Sequence, residues 1–258
     1  MDRTGRTALG LRRDNFKIFE DGAPQEIASF SNEDVPSSVG LVFDVSGSMK
    51  DKMRTAREAA HRLLETAIPE DEFFLITFSD RPAVEVDVTT DTSRINSRLL
   101  FVKPGGATAL VDAVYLALNR LRTARGPRKA LVVVSDGGDN NSRYSQGELY
   151  SYAVEADAQI HALGIPGNLR SGLNGFGILE NLSSATGGLH FEAWNLKDLP
   201  SQAAKIGMAL HDQYVLGYRP SPPMADSKYH KIQVKLDLPA GSAPLRVYAR
   251  QTYRSPER

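Results

Sequence analysis

Four short stretches, at residues 39–43, 73–78, 130–134 and 160–165, run apolar instead of alternating with polar positions. Continuous runs of this length predict strands buried on both faces, as inside a parallel sheet. Between them apolar residues recur at three-and-four spacing. Met53, Ala56, Ala60, Leu63, Leu64 and Ala67 share one helical face that Pro69 ends, and Leu110, Ala113, Val114, Ala117, Leu118 and Leu121 form a second before Gly126 and Pro127. Strands alternating with helices predict right-handed βαβ units. The expected fold class is therefore α/β, doubly wound, with a mostly parallel central sheet flanked by helices. Residues 81–90 depart from the pattern: Val84, Val86 and Val88 alternate with Glu85 and Asp87, which predicts one half-exposed antiparallel edge strand.

The two ends of the chain read differently. Residues 16–20 and 26–30 flank the pair Asp21-Gly22, the signature of a β-hairpin. Residues 214–218, then Ile232, Val234 and Leu236, then Leu245, Val247 and Ala249 predict three further strands with polar residues interleaved. The expected organisation is an N-terminal β segment at 1–37, an α/β domain at 38–210 and a C-terminal β segment at 211–258, the two terminal segments packing into one small module. Residues 219–226 read as a Pro-rich turn or loop.

Composition narrows the function classes. Lys plus Arg and Asp plus Glu both number 31, so no excess positive charge draws in nucleic acid by counterion release. With no cysteine there is no disulfide, thiolate zinc site or cysteine nucleophile, and either redox compartment is compatible. No window approaches the roughly 18 apolar residues needed to span a bilayer. Residues 1–11 lack the apolar centre of a secretory signal, which leaves a cytosolic start, a mature end or a clipped boundary.

The chemistry concentrates in LVFDVSGSM at 41–49, where a buried strand ends and Asp44, Ser46 and Ser48 follow at alternate positions. A carboxylate and two hydroxyls are hard oxygen ligands, suited to Mg²⁺ or Mn²⁺ and poor for Zn²⁺. In a parallel sheet every strand ends at one edge, and ligands bind outside that edge near a switch in strand order. Asp136 follows the strand at 129–135 and so reaches the same edge as Asp44, and Thr108, in PGGATAL, adds a hydroxyl ahead of the second strong helix. Each residue alone has an ordinary reading as a helix cap or turn residue. Their order on two strand ends and one helix start makes coincidence the weaker explanation.

DVSGS, GGAT and SDGGDN together resemble the metal-ion-dependent adhesion site of von Willebrand factor type A domains, whose motif is Asp-x-Ser-x-Ser, then Thr, then Asp. The resemblance spans residues 38–210 and departs at none of the five positions. It implies that Ser46, Ser48 and Thr108 contact a bound metal directly in one state or another, and that Asp44 and Asp136 bind it directly or through water. Mg²⁺ is the expected ion, with Mn²⁺ or Ca²⁺ as alternatives. The flanks, including QYVLGYRP and KYHKIQVKL, are similar to a bacterial subgroup of VWFA-related proteins, mostly exported. Membership would place the chain outside the cytoplasm and implies that its start is clipped.

Other residues carry weaker signals. Asp139, Asn140 and Ser135 read either as orienting the Asp136 end of the site or as turn and strand-end residues. The Gly-rich stretch 166–177, with Asn168, Arg170 and Asn174, reads as a ligand-specificity loop at the same edge or as a plain surface connection. The histidines His61, His161, His190, His211 and His230 show no ligand spacing, Trp194 reads as a packing residue, and residues 120–129 read as a solvated basic helix end.

The function expected is a non-enzymatic adhesion or interaction module that holds an Asp or Glu carboxylate of a protein partner through the cation, without nucleic acid or membrane insertion. One alternative is a scaffold whose metal site is structural or vestigial. The other is Mg²⁺-dependent phosphotransfer, disfavoured because Ser46 stands where an Asp nucleophile's acid/base partner would be.

Overall fold

The computed structural model describes residues 1–2, 4–165, 172–223 and 226–257. Its centre is a six-stranded sheet made of β4 (Ser37–Asp44), β5 (Glu72–Phe78), β6 (Pro82–Thr89), β7 (Arg128–Ser135), β8 (Gln159–Gly164) and β9 (His190–Glu192) in the order β6-β5-β4-β7-β8-β9. All neighbours are parallel except the β5–β6 pair, so the alternating valines do form an antiparallel edge strand. The continuous apolar runs are explained by two cores, one on each face. Leu41 and Phe43 of β4 pack with α1 (Met53–Leu64), α2 (Thr92–Phe101) and α6 (Leu199–His211). Val42, between them, faces α3 (Leu110–Leu121), α4 (Gln146–Glu155) and α5 (Gly172–Thr186). Alternate residues of one strand thus enter opposite cores, and no position of β4 is left for a polar face.

The central strand is crowded. A Cβ on Gly40 would stand 2.3 Å from Phe74 Cζ and 2.6 Å from Leu131 Cδ2, so the absence of a side chain there lets β5 and β7 place large residues against β4.

The terminal segments meet. β1 (Phe16–Glu20) pairs with β2 (Ala23–Gln25) and with β11 (Tyr229–Leu236), which also pairs with β12 (Thr252–Arg254). β3 (Ile27–Ser31) pairs instead with β10 (Val215–Tyr218). Phe16, Ile18 and Ile27 form a small core shared by both sheets with Tyr214, Leu216 and Ile232.

Three sequence expectations need correction. The strand across the Asp21-Gly22 turn is β2, not residues 26–30: Asp21 and Gly22 both have positive φ (47° and 85°), a two-residue turn that closes on Glu20 and Ala23, and the chain then leaves for β10. The last strand is β12, not residues 245–249. In that stretch Arg246 exchanges backbone hydrogen bonds with Met1 (2.8 and 2.7 Å), and just beyond it Gln251 N–H bonds Ala185 O at 3.2 Å. Residues 172–177 are not loop but the first turns of α5, held by Leu179 and Leu182 in the core beside β8. Asn168 and Arg170 lie outside the described residues, while Asn174 falls within α5.

Among the described residues no helix is long and apolar enough to cross a membrane.

Candidate functional site

From β4 the chain crosses to β5 on one side, and after β6 it returns to β7 on the other, so strand order reverses between β4 and β7. A crevice opens at the carboxyl ends of strands at such a switch. Phe43 registers with Val134, which sets Asp44 against Ser135 at that end. Asp44 is fully buried. Its Oδ1 accepts the Ser46 N–H at 2.8 Å and its Oδ2 accepts the Ser135 hydroxyl at 2.6 Å. Burial pushes the carboxyl up to about 6, against the pull of the donors from Ser135 and Ser46, and the neighbouring Asp136 charge pushes the same way.

Three loops converge here. Ser46 Oγ and Ser48 Oγ lie 3.0 Å apart, the first buried and the second exposed. Gly47 N–H bonds Gly106 O at 3.1 Å and Gly105 N–H bonds Val45 O at 2.8 Å, tying the DVSGS loop to the PGGAT loop. The second loop needs its glycine: Gly106 has φ of +82°, and a Cβ would meet Asp80 Oδ2 at 2.7 Å. Thr108, nearly buried, gives its N–H to Asn140 Oδ1 at 2.9 Å and takes the Asn140 N–H on its carbonyl at 3.0 Å. The Thr108 loop is thereby joined to the loop that carries Asp136. Asp136 is 5% exposed, and its Oδ2 accepts the Lys52 ammonium at 2.9 Å.

The lesser candidates separate. Ser135 is buried on Asp44 and also accepts the Gly137 N–H at 3.0 Å, so it orients the Asp44 carboxylate. Asn140 positions Thr108, not Asp136. Asp139 accepts the Ser142 N–H at 3.3 Å and no other donor among the described residues, which is a turn role.

Two residues at this edge escaped the sequence reading. Lys52 follows the motif by four positions and carried no pattern signal, because an ordinary surface lysine looks the same. Asp80 accepts the Ala107 N–H at 2.7 Å. Its signal was available, since it stands two residues past the carboxyl end of a buried strand, as Asp136 stands one past its own.

The donor set suits a hard divalent cation. Among the described residues no three His, Cys, Asp or Glu side chains gather into a metal cluster. The oxygens at this crevice are instead two carboxylates and three hydroxyls, a mixture that favours Mg²⁺ or Mn²⁺ over Zn²⁺. Among the described residues Asp44 takes neutral donors and Asp136 one ammonium, so two carboxylates share one positive partner there.

Elsewhere, Trp194 is 80% exposed just past the end of β9, so it does not pack as expected. His161 is buried and neutral, its ring held down to about 4 by burial. The His211 and His230 rings lie within hydrogen-bonding distance of aspartates, Asp34 and Asp71 for the first, Asp21 and Asp226 for the second. In the basic stretch, Arg128 is not simply solvated: its guanidinium bonds the carbonyls of Leu210, His211 and Glu33.

Helices on both faces of a mostly parallel sheet, with polar loops gathered at its switch point, define a Rossmann-like α/β domain. Residues 39–138 match the family model of the von Willebrand factor type A domain. Human inter-alpha-trypsin inhibitor heavy chain H4 is 27% identical over 172 residues, covering 60% of this chain and 18% of that protein. Mouse hemicentin-1 is 35% identical over 96 residues, covering 33% and 2%. The chain therefore spans under a fifth of these two relatives. Among solved structures, a von Willebrand factor type A protein from Catenulispora acidiphila superimposes with a TM-score of 0.61 at 15% identity, over 79% of this chain and 52% of that one. At that identity the likeness concerns the fold. Domains of this family generally mediate protein–protein interactions.

Proposed function

We propose that the chain is a cation-dependent protein-binding module. Asp44, Ser46, Ser48, Thr108 and Asp136 would hold one divalent ion, Mg²⁺ before Mn²⁺ or Ca²⁺, and a Glu or Asp of a partner protein would complete its coordination. The observation that carries this reading is the pair of buried carboxylates, Asp44 and Asp136, beside the hydrogen-bonded Ser46 and Ser48 hydroxyls at the switch point of the sheet. When bound, the ion supplies positive charge and an open coordination position for a carboxylate. The chain's own residues fix the donors: Ser135 orients Asp44, Asn140 holds the Thr108 loop, and Gly106 lets that loop approach.

Catalysis is not part of the proposal, because Ser46 offers no proton-transfer group beside Asp44. Resemblance to exported bacterial proteins supports a place outside the cytoplasm. A second reading, a scaffold with a vestigial site, is favoured by one observation: Lys52 already gives Asp136 a positive partner. A thermal melt separates the two. Native-state binding raises Tm with Mg²⁺ by linkage, and Asp136→Ala removes the rise. An unchanged Tm at millimolar Mg²⁺ and Mn²⁺ selects the scaffold. Partner capture that survives both EDTA and Asp136→Ala rejects the metal-bridged mechanism.

A further inference from the structure

Asp44 and Asp136 lie at one crevice but are neutralised differently. Both oxygens of Asp44 take neutral donors, whereas Asp136 Oδ2 takes a full ammonium charge from Lys52 at 2.9 Å. The Lys52 side chain is 15% exposed and that of Asp136 is 5% exposed, so water screens the pair poorly. The position of Lys52 is set by its backbone: its N–H bonds Met49 O at 2.8 Å and its carbonyl accepts the Ala56 N–H at 2.9 Å, which holds its Cα in the turn that opens α1. Only the four-carbon stem is free to move, and a lysine stem can swing its charge between a buried partner and solvent.

An ammonium and a divalent cation cannot share one carboxylate oxygen at such distances without strong repulsion. We propose that Lys52 is a tethered rival of the divalent cation for Asp136. Its ammonium sets how much cation is needed to load the site, and cation uptake turns it out to the rim. This rests on the cation-site reading and extends it: the threshold for loading lies in a residue outside the ligand motif.

The test is a calorimetric titration of Mg²⁺ and Mn²⁺ into the wild-type chain, Lys52→Met and Lys52→Arg, with brief acetic anhydride labelling of the wild type read by mass spectrometry. Removing the ammonium should tighten cation binding by at least about tenfold, since a poorly screened charge pair no longer has to be broken. The dissociation constant of Lys52→Arg, which keeps the charge, should stay well above that of Lys52→Met. Acetylation of Lys52 should rise in Mg²⁺ over EDTA, while that of the half-exposed Lys17 stays constant. Equal cation affinity in wild type and Lys52→Met overturns the rivalry and leaves the metal site standing. No binding to any variant at millimolar cation overturns both. If Lys52→Met does not fold, labelling decides alone: unchanged Lys52 reactivity in a wild-type chain that binds Mg²⁺ sinks the proposal.

Discussion

Asp44 and Ser135 face each other across the paired ends of β4 and β7, and the Ser135 hydroxyl donates to Asp44 Oδ2 at 2.6 Å in a fully buried setting. The same Oγ accepts the Gly137 N–H, so one side chain orients the carboxylate and shapes the turn that follows Asp136. Replacing it removes both contacts without altering any of the five proposed cation ligands. Ser135→Ala should lower unfolding free energy by about 2 kcal/mol, the usual cost of taking a hydrogen bond from a buried charged group. Urea melts at pH 7 measure it. A change within error would mean that a water replaces the hydroxyl.

Asn140 links the Thr108 loop to the loop after β7 through bonds of 2.9 and 3.0 Å. If the proposed site holds Mg²⁺, Asn140→Ala should weaken that binding roughly tenfold or more, as loss of groups that orient ligands commonly does. The fold should persist, because Asn140 itself is exposed. Calorimetry reads the affinity, and an unaltered value would show that the Gly105 and Gly47 backbone bonds hold Thr108 unaided.

At Gly40 even one methyl group meets Phe74 and Leu131 inside 3 Å. Gly40→Ala should cost about 1–3 kcal/mol as an overpacked core, measured by urea unfolding. Adding Phe74→Leu should restore part of it. Absence of any rescue would place the strain in the backbone instead.

His230 joins the terminal strands through a titratable cluster. Its Nδ1 lies 2.8 Å from Asp21, its Nε2 lies 3.0 Å from Asp226, Glu20 stands at 4.0 Å, and the Tyr253 ring packs alongside. The bond to Asp21, then that to Asp226, raises the imidazolium above its ordinary value. A raised folded pKa means that the native state binds the proton more tightly than the unfolded chain. The stabilisation is therefore complete below the unfolded value, about 6.5, and is lost as pH rises through the folded one. His230→Gln should lower the urea midpoint at pH 6, with a gap that narrows towards pH 9. His211, raised by Asp71 and Asp34, stays in both proteins, so the difference isolates His230. A gap that widens with pH would contradict the sign.

Much of the α/β domain could be read from the chain because its signals are local. The strands of the parallel core are continuously apolar since both faces are covered, and the motif residues follow strand ends that such runs mark. α4 also had a local signal, the Ser145 and Glu148 capping box, which its weak apolar periodicity obscured. α5 begins in a Gly-rich stretch whose helical state depends on Leu179 and Leu182 reaching the core.

The sequence by itself determined the order of oxygen donors and the strand ends that carry Asp44 and Asp136, because strand burial and side-chain alternation are properties of neighbouring residues. Tertiary structure decided which distant groups face them. The Lys52 ammonium reaches Asp136 across 84 positions, and Ser135 reaches Asp44 across 91. It also decided that β3 leaves its hairpin for β10 and that Trp194 stands in solvent. Such pairings depend on how packed elements meet in space, and no local periodicity encodes that.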